Sequence, residues 1–360
     1  MRPRFAALIV CLTLALASVD ARQNQGVSSP ITAAPFESYL ESLRVQAAIP
    51  GISAAILQDG QIVWERGFGF QNQDARIRAT PDTPYPIGDL SQTIASELLL
   101  RCSEERLLNL EGPASRYGIE LPESTASLRN ILSHASAGNP GETYKYDAER
   151  YGQLSLAVEN CIRQPYRKTV AVSVLERLAM RDSVPGRDLT TPAALTEPLF
   201  ATEILERYKK VLDRMAVPYK VDKRGKLTRS ELPPEGINAA TGLVSTVRDL
   251  ARFDAALDSL LFLHEETQAQ AWTNVISLNG QHTPLPTGLG WFVQTYRDQP
   301  VIWQYGLIPN AYSSLIVKLP SRHLTLILLA NSDGLNAPFQ LDAGDITRSL
   351  FATLFLRLYS

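Results

Sequence analysis

The chain has 360 residues, 35 Lys+Arg against 37 Asp+Glu, 45% hydrophobic residues, 21 Gly and 23 Pro. That is the composition of an ordinary globular protein, and a formal charge of -2 excludes the basic face a nucleic-acid binder needs. Three Cys and four His, with no pair at zinc-site spacing, leave no material for a metal centre, so no metal or other cofactor is expected.

The N-terminus comes first. Arg2 and Arg4 precede an apolar run from Phe5 to Ala17, with small residues following to Ala21. A basic start, a short apolar stretch and an Ala-rich exit describe a cleaved secretory leader over residues 1–21, cut after Ala17 or Ala21. The run is shorter than the ~20 residues a permanent membrane span takes. The mature chain is thus expected in the periplasm or outside the cell, with no integral membrane segment. There its two remaining cysteines, Cys102 and Cys161, are free to pair.

Residues 22–33 are small and polar and form a linker. Phe36, Leu40, Leu43 and Ala47 then repeat at helical spacing until Pro50-Gly51. Two strands follow, Ile52 to Gln58 and Gln61 to Phe70, around Asp59-Gly60, a strong tight-hairpin signal. A helix is expected from Asp89 to Glu105, opened by Asp89 as N-cap with Gln92 three places on, a capping-box pattern. Residues 126–216 read as helix-rich, and 218–236 as a polar surface excursion. After an amphipathic helix over Thr246 to Leu257 come strands at 289–295, 301–305, 313–319 and 324–330. A last helix carries Ile346, Leu350, Leu354 and Leu358 on one stripe.

This order predicts an α/β (α+β) fold: an antiparallel sheet flanked by the terminal helices, with an all-helical subdomain inserted. The sheet part takes residues 34–88 and 235–358, the helical part 89–234. A cleft between the two is the expected ligand site.

Several stretches then point to a family. Ile49-Pro50-Gly51-Ile52-Ser53, Pro81-Asp82-Thr83, Pro86-Ile87-Gly88, Leu132-Ser133-His134, Gly288-Leu289-Gly290-Trp291 and Leu329-Ala330-Asn331 stand in an order that resembles the serine β-lactamase-like family. That family covers class C β-lactamases, penicillin-binding DD-peptidases and related esterases. The resemblance implies three motifs around one cleft. A Ser-x-x-Lys would supply the nucleophile and its lysine, a Tyr-x-Asn a second base, and a Lys/His-x-Gly the carboxylate contact beside the oxyanion hole.

The chain departs from all three. Asp89 stands at the nucleophile position and Gln92 at the lysine position, and no Ser-x-x-Lys occurs elsewhere. The second motif keeps Tyr146 but has Ala148 for Asn. The third reads Gln304-Tyr305-Gly306, with an uncharged amide where the cation belongs. Loss of a serine nucleophile alone costs about 10⁶-fold in kcat. The sequence therefore leans away from an enzyme and towards a non-catalytic binding protein, for a cell-wall peptide or another exported protein. The alternative is a hydrolase of peptide, ester or β-lactam substrates that uses Asp89 and Tyr146 on water, with Ser91 or Lys145 as residues it could recruit. His134 is expected to be structural. By the same alignment Cys102 and Cys161 lie at similar depth on helices leaving the cleft, which is compatible with a bridge.

Overall fold

The structure, a computed structural model, describes residues 33–191 and 199–360. The leader and the linker up to Thr32 lie outside the described residues; Ala33 already opens helix α1, Ala33–Gln46. Among the described residues no helix is long and apolar enough to cross a membrane.

Asp59 and Gly60 both have positive φ (52° and 72°). They close a tight hairpin between β1 (Gly51–Gln58) and β2 (Gln61–Asn72). Ile77–Arg78 forms β3 and Tyr85–Pro86 forms β4, and the middle of the chain adds the short strands β5 (Val184–Pro185), β6 (Tyr219–Val221), β7 (Leu227–Arg229) and β8 (Leu243–Ser245). Far down the chain lie β9 (Phe292–Tyr296), β10 (Gln299–Ile308), β11 (Tyr312–Leu319) and β12 (Leu324–Ala330). These join the early strands in one seven-stranded sheet of order β3-β2-β1-β12-β11-β10-β9, and every pairing in it is antiparallel. The expected antiparallel sheet built from both ends of the chain is the one observed. Asn331 ties the ends together: its Oδ1 accepts from Gly51 N–H at 2.7 Å and its Nδ2 donates to Phe70 O at 3.1 Å.

β11 and β12 are buried along their whole length, as a sheet covered on both faces requires. Helix α1 packs against the C-terminal helix Leu350–Tyr359, with Phe36 edge-on to Phe355 at 6.4 Å. The helix Val247–Asp258 packs on β1 and β12, its N-terminus capped by Thr246. Between the two groups of strands run α2 (Gln92–Glu104), α3 (Leu128–Leu132), α4 (Ala148–Gly152) and α5 (Leu154–Ile162). Cys102 on α2 and Cys161 on α5 form a disulfide with Cα atoms 6.2 Å apart. The expected surface excursion holds a small hairpin of its own, β6 (Tyr219–Val221) with β7 (Leu227–Arg229).

One buried acid makes the fold pH-sensitive. Glu97 on α2 is fully buried, with Trp291 and Gln268 beside its carboxylate. Burial pushes its carboxyl up to about 8. An acid whose pKa is raised on folding contributes stability that is complete below its unfolded pKa and lost as pH rises through the folded value. From pH 6.5 to 8, Glu97 alone removes on the order of 2 kcal/mol. His134, neutral in the folded chain across this window, opposes the loss by only a few tenths of a kcal/mol as its unfolded-state imidazole finishes losing its proton. Chemical denaturation across that window will show the loss in the native chain, and Glu97→Gln will reduce it, leaving the smaller share that Asp89, raised to about 7, loses at the lower end; an unchanged slope in the variant would contradict the assignment.

Candidate functional site

The site is set by two close backbone approaches. Gly88 has φ +56°, and a Cβ there would lie 2.9 Å from Leu307 N. Gly306 faces it from β10, where a Cβ would lie 1.8 Å from Ile87 O. Only glycines let the turn Ile87–Asp89 press onto the strand at this distance. Ser314 Oγ donates to Ile87 O at 2.6 Å and holds the contact from β11.

This approach corrects the sequence reading of Asp89. The segment Gly88–Ser91 is a 3₁₀ turn, α2 begins only at Gln92, and neither start has a side-chain cap. The Asp89 carboxylate instead accepts from Leu307 N–H at 3.4 Å and from its own backbone N–H. Tertiary packing against β10 outcompetes the local capping pattern. Two backbone N–H groups thus face the carboxylate, which is the arrangement that stabilises an oxyanion, and here a resident carboxylate takes that place. Burial, with the charge of Glu235 adding to it, pushes the Asp89 carboxyl up to about 7 despite these donors.

The neighbouring positions carry amides. Gln92 is fully buried; its Nε2 donates to Tyr146 Oη at 3.0 Å and its Oε1 faces His134 Nε2 at 3.0 Å. His134 Nδ1 accepts from Asp147 N–H at 3.2 Å, so the ring proton sits on Nε2 and is donated to Gln92. Burial drives the His134 pKa down to about 3, which keeps the ring neutral. Gln304 Nε2 donates to Gly290 O at 3.2 Å, and its Oε1 accepts from Tyr305 N–H at 2.9 Å. Both amides therefore use a donor and an acceptor at once, which a lysine could not.

Tyr146 stacks on His134 at 4.3 Å and lies 5.7 Å from the Tyr305 ring and 6.3 Å from Phe292. Burial and the Asp89 charge hold the Tyr146 phenol well above its ordinary range, and Tyr305 is raised by the same causes. A phenolic base needs the opposite, a nearby cation that lowers its pKa. Tyr144 seals the edge by donating to Asp342 O at 2.6 Å.

The sequence-derived positions Asp89, Gln92, Tyr146, Gln304, Tyr305 and Gly306 thus meet at one place, with Ala148 alongside as the first residue of α4. Ser91, buried, donates back to Gly88 O at 2.8 Å, and Lys145 is exposed. Sequence reasoning missed His134 as the partner of Gln92, and Tyr144, Phe292 and Glu235 as neighbours. His134 lies 42 residues from Gln92, and no local pattern signals such a pairing. Among the described residues no group of three or more His, Cys, Asp and Glu could hold a metal ion.

A family profile described as beta-lactamase matches residues 36–350. The chain belongs to the beta-lactamase family. That is the family its motifs resemble. Protein flp of Staphylococcus aureus is 22% identical over 322 residues, covering 79% of this chain and 60% of flp. The chain therefore spans less than two thirds of that relative. Teichoic acid D-alanine hydrolase of the same species is 29% identical over 120 residues, 32% of this chain and 28% of the hydrolase. Among solved structures, an octameric penicillin-binding protein homologue from Pyrococcus abyssi superposes with a TM-score of 0.72 at 22% identity, covering 91% of this chain and 78% of the homologue. D-alanine carboxypeptidase AmpC from Burkholderia cenocepacia gives 0.65 at 19%, covering 87% and 96%. At these identities the structures establish the shared fold.

Proposed function

We propose that this chain is an exported, non-catalytic member of the beta-lactamase family that binds a ligand or partner without acylating on it. One observation carries the reading: the Asp89 carboxylate sits at the Leu307 N–H, where an acyl-transfer oxyanion would have to be received. Asp89 and Gln92 replace the serine and lysine of the family motif, Gln92 and Gln304 are neutral, and the Tyr146 phenol is held protonated. A carboxylate also repels the negative charge of an oxyanion and of a C-terminal carboxylate. The ligand this favours is a cell-wall peptide presenting no carboxylate at that point, or another exported protein. Export rests on the leader-like residues 1–21.

One observation speaks for a second reading. A carboxyl near 7 is well matched to general-base work on water at neutral pH. The two are separated by turnover of an activated ester and of a D-alanyl peptide as a function of pH. The binding reading predicts rates equal to those of Asp89→Ala at every pH. A rate that exceeds the variant's and rises through pH 7 would overturn it.

A further inference from the structure

A pocket of about 480 Å³ lies where the β6–β7 hairpin meets the start of β11. Its size is that of a small-molecule site. Two arginines line it. The Arg187 side chain is only 8% exposed; one Nη donates to Glu235 Oε2 at 2.9 Å, and its Nε is buried with no hydrogen-bond partner. The side chain of Arg229, an exposed residue of β7, has no ion-pair or hydrogen-bond partner among the described residues. Both arginines line the same pocket as Tyr312, and both guanidinium charges act on its phenol.

Guanidinium donors left without an acceptor, here Arg187 Nε and the Arg229 fork, are binding equipment. They present rigid pairs of N–H donors suited to a planar oxyanion. Met215, Pro218 and Leu232 supply apolar wall beside them. Glu231, also on the wall and exposed, forms no ion pair and makes a second negative charge on a ligand unfavourable.

We infer that this pocket binds a small amphipathic carboxylic acid, its carboxylate received by Arg187 and Arg229 and its apolar body laid against Met215, Pro218 and Leu232. Glu235, the partner of Arg187, also carries a charge that acts on Asp89. The inference does not depend on whether the Asp89 site is catalytic.

Calorimetric titration with 4-phenylbutanoate, its primary amide and inorganic phosphate, at constant ionic strength, tests it. The carboxylate is expected to bind saturably and at least about tenfold tighter than the amide or phosphate, the usual weight of a charge-assisted hydrogen bond. Arg229→Gln, at an exposed and unpaired position, is expected to leave the melting temperature unchanged and weaken carboxylate binding about tenfold. Equal affinity for acid and amide, tighter binding of phosphate, no saturable binding, or full binding by Arg229→Gln would each overturn the assignment.

Discussion

Asp89→Ser combined with Gln92→Lys is expected to make this chain react covalently with a penicillin or an activated ester. The serine would remove the carboxylate from the two backbone N–H groups, Leu307 and residue 89 itself, and leave them free for an oxyanion. The lysine would stand where Gln92 Nε2 now lies, 3.0 Å from Tyr146 Oη. It would also supply the cation that Tyr146 lacks. A nucleophile is worth about 10⁶-fold in such sites, so recovery of even a small part gives about 10³-fold over the native chain. The gain has a cost that can be located. His134 donates its Nε2 proton to Gln92 Oε1, and a lysine offers it no acceptor. The double variant is therefore expected to lose about 1–3 kcal/mol of stability, while Asp89→Ser alone keeps the amide network. Mass spectrometry for the adduct and chemical denaturation for the loss read the two effects separately. An unreactive double variant with an intact fold would mean that the cleft has changed beyond these two positions.

The second large effect concerns the disulfide. Cys102 and Cys161 are 59 residues apart in sequence. Opening a loop of that length releases unfolded-chain entropy worth about 4 kcal/mol in the loop-closure account. Cys102 is buried within the main core and Cys161 packs against it, so alanines at both positions fit without new polar groups. The double alanine variant is expected to unfold at markedly lower denaturant, with the reduced native chain matching it. Equal stability of oxidised, reduced and alanine forms would show that the bridge contributes nothing.

Much of the fold was legible because its elements carry local signals. Asp59-Gly60 marks its hairpin, Thr246 caps its helix, and β12 runs over Leu324–Ala330, the range its apolar run gives. The strands Gln299–Ile308 and Phe292–Tyr296 were harder to bound, since apolar residues run on from Tyr305 to Ile308 and lead into Phe292 from Leu289. The departures at Asp89, Gln92 and Gln304 were also visible, because an altered motif is a local fact. What the residues do instead was not. Asp89 looks like a helix cap to any local rule, and it becomes a ligand of Leu307 N–H only because Gly88 and Gly306 bring two distant backbones together. The neutral His134–Gln92–Tyr146 chain likewise exists only once α2, α3 and the loop before α4 are packed.

The most direct test of the central claim is the intact mass of the purified native chain after incubation with a labelled penicillin and, separately, an activated ester. The carboxylate held at the Leu307 N–H predicts an unchanged mass with both reagents. A stoichiometric adduct on the folded protein would contradict it, and mapping the modified residue would show which side chain had taken the place of serine.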